Sequence, residues 1–217
     1  MSTEIKIINE DCMTAMSRMI DNEYSLAIVD PPYGIFSAGG GKTATMAWSK
    51  SGSGGTWASK YGKKAKTWDI APTPEYFTEL KRVSDNQIIW GANHFPYSSV
   101  NYVIWKKLTI SESFSMGMCE FASVSLKGNP KVFEYPPQDH NRFHPTQKPV
   151  ALYQWLLKNY AKPGDKILDT HGGSCSLAIA CDIMGFDCTI YEIDKDYYEA
   201  ALDRFNRHKQ QTVLEFV

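Results

Sequence analysis

Several protein classes are excluded by what this sequence lacks. Its five cysteines, Cys12, Cys119, Cys175, Cys181 and Cys188, form an odd set with no C-x-x-C spacing. That argues against a disulfide scaffold and a zinc site, and for reduced thiols in a cytoplasm. No apolar run is long enough to span a bilayer. The opening MSTEIKIINED alternates apolar and charged residues where a secretory leader would carry an unbroken apolar core. No membrane partner is therefore expected. The fingerprint G-x-G-x-x-G is missing, which disfavours a nicotinamide cofactor. GGGKT, Gly39 to Thr43, imitates the end of a phosphate loop, but the first glycine that loop requires would fall at Phe36. Between Ser37 and Trp68 there is no acidic residue at all.

What stands in that acid-free stretch is glycine, serine and six lysines, Lys42, Lys50, Lys60, Lys63, Lys64 and Lys66. It reads as a long mobile basic loop over 37–68, either a solvated segment or a set of phosphate contacts. Asp182 to Arg204 carries the opposite bias, seven acids against two bases, so a net charge of -1 hides an uneven distribution.

With 217 residues, 43% of them hydrophobic, the chain is expected to form one domain over 1–217. EIKIIN alternates like a strand, YSLAIV is a second strand candidate ending at Asp30, CMTAMSRM has helical spacing, and TPEYFTELKRV reads as a helix with Pro74 near its first turn. QIIWG, NYVIW and ASVSL follow as short strands, and Asn129 to Pro145 reads as a proline-rich loop. Beyond it QKPVALYQWLLKNY, KILD, SCSLAIACDIMG, DCTIYEID and KDYYEAALDRFNRH alternate helix, strand, helix, strand, helix. The alternation predicts an α/β fold, a mostly parallel doubly wound sheet built from βαβ units.

Two stretches carry chemistry. In KILDTHGGSCSLAIA a strand ends at Asp169, Gly172 and Gly173 form a turn, and a helix follows. Glycines there let a ligand approach the backbone beside a helix N-terminus. Glu192 stands 20 residues beyond Gly172 at the end of the next strand, where a carboxylate can accept both hydroxyls of a ribose. The combination suits an adenosine-containing ligand. In AIVDPPYGIF an apolar strand stops at Asp30, and Pro31 and Pro32 then fix the backbone and leave only acceptors. Tyr33 adds a flat face for stacking. Acceptors beside an aromatic plate suit a planar ring with an exocyclic amino group, and a base in a duplex must be flipped out to reach them.

Asp30-Pro31-Pro32-Tyr33 resembles the catalytic D-P-P-Y of the S-adenosylmethionine-dependent amino-group DNA methyltransferases. HPTQKP, His144 to Pro149, is similar to the segment that precedes the cofactor half in their β-class, and LDTHGGS and YEID sit where that class binds its cofactor. The order, catalytic before cofactor, is the circularly permuted one of the β-class in this Rossmann-like fold. The resemblance covers about residues 11–205. It implies that Asp30 and the Pro31 carbonyl hold the adenine N6 amino group and that Tyr33 stacks on the base. It implies that Asp169, with His171, Gly172 and Gly173 in the same loop, binds the methionine end of S-adenosylmethionine. Thr146 and Lys148 would stand near that end, Glu192 would take the ribose, and Asp11 would reach the cofactor adenine.

Asp in the first motif position favours adenine N6 over cytosine N4. A protein-amide or RNA acceptor, or an inactive DNA-binding relative, are the remaining readings. Thr170 and His171 and the adjacent glycine pair depart from the Phe and G-x-G usual in the family's loop. About residues 106–145 form the short region left to read DNA. That implies short or relaxed sequence specificity, or a homodimer that shares the task. Lys42, Lys60, Lys63, Lys64 and Lys66 would contact double-stranded DNA phosphates. The setting implied is the cytoplasm of a prokaryotic or phage-infected cell, and a restriction endonuclease partner is left open.

Overall fold

The computed structural model describes residues 3–35, 69–96, 99–113, 117–137 and 141–214. Among them eight strands form one sheet: β1 (Ile5–Ile8), β2 (Tyr24–Val29), β3 (Ser84–Trp90), β4 (Asn101–Lys107), β5 (Cys119–Val124), β6 (Lys131–Tyr135), β7 (Lys166–Asp169) and β8 (Asp187–Tyr191). Five helices accompany them: α1 (Cys12–Met16), α2 (Pro74–Val83), α3 (Val150–Tyr160), α4 (Ser176–Met184) and α5 (Lys195–Leu214). The strand order is β1-β8-β7-β2-β3-β5-β4-β6. Pairing is parallel throughout except where β5 meets β3 and β4. The sheet is thus mostly parallel, as the βαβ alternation requires.

Alternation along β2 sets the two layers. Leu26 and Ile28 face a core shared with Leu152 and Leu156 of α3, Leu177 and Cys181 of α4 and Ala201 of α5. Ala27 and Val29 face the opposite way, onto Met16 of α1 and Tyr76, Leu80 and Val83 of α2. Burial on both faces explains why YSLAIV reads as a nearly continuous apolar run. Trp90 and Phe95 are buried among these side chains.

Three elements differ from the sequence reading. The proline-rich stretch from Asn129 contains β6, an edge strand whose side chains are largely exposed. It lacks the apolar face that would betray a strand, and the prolines flank it instead of interrupting it. α3 begins at Val150, not Gln147, because Pro149 occupies its N-cap in extended conformation. α1 stops at Met16, short of Met19. No helix among the described residues is long and apolar enough to cross a membrane.

Candidate active site

Strand direction assembles the site. β1, β8, β7 and β2 run parallel, so their carboxyl ends meet on one edge of the sheet. Asp30 follows β2, Asp169 ends β7, Glu192 follows β8, and Asp11 lies just beyond β1. They surround a cleft of about 580 Å³, within the roughly 300–1,000 Å³ usual for small-molecule sites. Asp11, Asp30, Pro31, Pro32, Tyr33, Thr146, Lys148, His171, Gly172, Gly173 and Glu192 all line it. Asp169 is buried behind that wall, where its Oδ1 accepts the His171 backbone N–H at 3.0 Å. Lys42, Lys60, Lys63, Lys64 and Lys66, and with them the 37–68 loop, lie outside the described residues.

At one end of the cleft Tyr33 donates its hydroxyl to Asp30 Oδ1 at 2.5 Å, and Lys148 donates its ammonium to Asp30 Oδ2. The Tyr33 ring stacks on His94, centroids 4.8 Å apart and planes 15° apart, with Phe95 edge-on. Beneath it Gly91, at φ +80°, leaves the room the ring needs: a Cβ there would lie 2.2 Å from the ring. Gly34, the residue after the motif, donates its N–H to Asp69 Oδ1 at 2.9 Å.

Lys148 was expected near the cofactor's methionine end, and the structure sets it against Asp30. Its ammonium also reaches Glu120 Oε2 at 3.1 Å, and Lys107 Nζ lies 2.7 Å from Glu120 Oε1. Four charges of alternating sign, Asp30, Lys148, Glu120 and Lys107, therefore line one wall. Burial pushes the Asp30 carboxyl up, and Lys148 only partly offsets it. Burial would raise Glu120 too, but Lys148 and Lys107 outweigh it and hold that carboxyl down at about 2. Lys148 stays charged above its ordinary range, because the two carboxylates overcome its burial.

Sequence reasoning missed Glu120 and Lys107. Lys107 ends an apolar strand much as Asp30 follows one, and that signal was readable in VIWKK. Glu120 was not readable. It stands at the start of β5, and only the antiparallel course of β5 carries the beginning of a strand to the edge where the others end.

At the other end Glu192 closes the glycine turn. Its Oε2 accepts the Gly173 N–H at 2.7 Å and its Oε1 the Asp194 N–H at 2.8 Å. Gly172 packs where a Cβ would lie 2.6 Å from Ile190, and its N–H donates to the Tyr191 carbonyl at 2.8 Å. The turn ends on Cys175 in left-handed conformation, from which α4 starts. Ile193, 63% exposed, offers an apolar surface on the same wall. Asp11 caps α1 through Oδ1, accepting the Thr14 N–H at 2.9 Å.

These residues fit S-adenosylmethionine. Burial drives the Asp169 carboxyl up to about 7, with the nearby Asp30 and Glu192 charges adding to the effect. A carboxylate so placed is stabilised by an ammonium. Glu192 retains lone pairs for hydroxyls, since each of its oxygens accepts one of the N–H bonds above. His171 is kept neutral, its pKa lowered to about 4 by burial. Its Nδ1 lies 2.9 Å from the Thr170 hydroxyl.

Known proteins resemble this chain over most of its length. YubD of Escherichia coli (strain K12), a methylase by assignment only, is 25% identical over 92% of this chain and 89% of its own length. The structure of M1.HpyAVI with S-adenosylmethionine superposes with a TM-score of 0.62, at 16% identity, over 93% of this chain and 99% of that one. The cytosine-N4-specific PvuII DNA methyltransferase gives the same TM-score at 11% identity, over 94% and 87% of the two chains. Such likenesses establish the fold. A family model described as DNA methylase matches residues 43–203, from beyond the Asp30–Tyr33 motif through Lys148, Asp169 and Glu192. With that match running through most of its length, the chain belongs to the N6/N4 family of DNA methylases.

Proposed function

We propose that the protein is a DNA adenine-N6 methyltransferase, with S-adenosylmethionine as the methyl donor its family uses. The observation that carries this reading is the placement of Asp30. It stands at the cleft between Tyr33 and Lys148, on the same sheet edge as Asp169 and Glu192. S-adenosylmethionine, when bound, supplies a methyl group on a positively charged sulfur.

The residues of the chain divide the remaining work. Glu192 and the Gly172–Gly173 turn would hold a ribose, Ile193 and Asp11 would meet the cofactor's adenine, and Asp169 with Thr146, Lys148 and His171 would take the methionine end. The target base enters flipped out of its duplex, its plane against Tyr33. Asp30 and the Pro31 carbonyl accept the two hydrogens of its amino group. That would favour a pyramidal nitrogen with its lone pair free to take the methyl group as the bond from sulfur to that carbon breaks, leaving a neutral thioether. Asp30 would be placed to receive the proton that the nitrogen sheds. Pro32 keeps the segment rigid. Positioning and electrostatic stabilisation carry the rate, and no covalent intermediate with the protein is needed.

Residues around 106–145 read the DNA, with short or relaxed specificity or with the help of a second copy of the chain. The lysines of 37–68 add contacts to phosphate. Cytosine N4 is the competing target, since a cytosine-N4 enzyme shares the fold at the same TM-score.

Nucleoside mass spectrometry of unmethylated DNA, incubated with the protein and S-adenosylmethionine, separates the readings. N6-methyladenine is expected from the wild type, with Asp30→Ala lowering it by about 100-fold or more. N4-methylcytosine in its place would reassign the target. No modified base, with cofactor binding intact, would overturn the reading.

A further inference from the structure

Each oxygen of Asp30 already accepts one hydrogen bond within the protein, one from Tyr33 and the other from Lys148. An ammonium held on a carboxylate takes up its charge and weakens it as an acceptor for a target amino group. Glu120 offers that ammonium a second place. Lys148 Nζ lies within reach of both carboxylates at once, 3.1 Å from Glu120 Oε2. Glu120 in turn is fixed by Lys107, whose Nζ lies 2.7 Å from its Oε1 and 5.4 Å from the Trp105 ring centroid. Lys148 itself sits over the Trp90 ring at 5.2 Å, and its backbone carbonyl accepts the Ser176 hydroxyl at 2.8 Å. A lysine with its backbone held and its ammonium shared can shift between two acceptors by a small rotation of a flexible stem.

We propose that Glu120, anchored by Lys107, is a positioning residue for methyl transfer: it takes the Lys148 ammonium from Asp30, freeing an Asp30 oxygen for the target amino group. This rests on Asp30 being the group that meets that amino nitrogen. Without Glu120 the ammonium is committed to Asp30, which then accepts poorly and holds protons less readily. The groups that face Asp30 are Tyr33 from its own loop, Tyr76 from α2, Glu120 from β5, Lys148 ahead of α3, Tyr153 from α3 and Asp169 from β7. Of these acids and bases Glu120 is the one whose removal takes negative charge from Asp30 and also gives it the whole of Lys148.

Two readouts test the proposal on the full-length chain as wild type, Glu120→Gln and Glu120→Asp. The first is a carbon-13 titration of the Asp30 carboxyl without cofactor or DNA, assigned with Asp30→Asn. The second is the pH profile of single-turnover methyl transfer to DNA. Glu120→Gln is expected to move both the titration and the acid limb of the rate to lower pH by about one unit. The rate on the plateau should fall about tenfold or more, and Glu120→Asp should bring all three back toward wild type. If Glu120→Gln fails to fold, Glu120→Gln/Lys107→Met, which keeps the charge balance, is read for the same shifts. A lowered rate with both pH dependences unmoved, or an unchanged rate, overturns the proposal. Wild type that transfers no methyl group, with the Asp30 titration still shifted by Glu120→Gln, overturns the parent reading of the site and leaves the charge coupling in place.

Discussion

Asp169 shows what a buried acid costs a fold that keeps it for a ligand. Its carboxyl is 3% exposed and its pKa rises from an ordinary 3.8 to about 7. Between those values the native chain binds a proton that the unfolded chain has lost, so stability falls as pH rises through that window. Asp169→Asn removes the dependence. Urea unfolding without cofactor is expected to give similar stabilities for wild type and variant below about pH 4. Near pH 8 the variant should be more stable, by up to roughly 4 kcal/mol at about 1.4 kcal/mol per pH unit. Equal stabilities at both pH values would mean that the carboxyl is solvated after all. The same substitution should weaken S-adenosylmethionine binding, because the fold tolerates the charge only where an ammonium offsets it. At this scale the sequence was most legible where strand chemistry is local. Asp30, Gly172, Gly173 and Glu192 each stand within a few residues of a strand end and were found from that. The pairing of Lys148 with Asp30 spans 118 residues and was not.

Between residue and whole, the joint of α1 and α2 bears on the cleft through Asp11 and Cys12, which precede and begin α1. A helix of five residues has little stability of its own. Arg82 near the end of α2 supplies what is missing. Its guanidinium donates to the Met16 and Met19 carbonyls, both at 2.7 Å, and to Glu79 and Asp21. These carbonyls belong to the end of α1 and the turn after it, where helical partners run out. Arg82→Ala should lower the midpoint of urea unfolding, and by more than Glu79→Ala, since losing one carboxylate partner leaves both carbonyl contacts in place. A smaller effect for Arg82 than for Glu79 would show that the ion pair, not the carbonyl contacts, holds the joint. None of this is visible in periodicity, which overestimated α1 and reported α2 well. The amphipathic pattern of α2 is strong because one face meets the sheet, whereas α1 is fixed by a distant side chain.

Across the whole molecule, charge is divided as the proposed reaction needs. The sheet edge gathers Asp11, Asp30, Glu120, Asp169 and Glu192 around one cleft. Such a concentration of acid would repel a polyanion unless basic residues met it elsewhere. The lysines of 37–68 are the densest basic stretch in the sequence, inserted directly after the Asp30–Tyr33 motif and ahead of Asp69, which binds Gly34. The described residues that flank it, Ile35 and Asp69, line the cleft, which supports the proposed contact of these lysines with DNA phosphates. Lysines of this kind bind phosphate without reading sequence. Replacing Lys60, Lys63, Lys64 and Lys66 together by Gln should lower the slope of log affinity for DNA against log salt by about 0.9 for each phosphate that they neutralise. The weakening should be of similar size on any duplex. An unchanged slope would assign phosphate binding to other residues, and a weakening confined to one DNA sequence would give these lysines a part in reading bases.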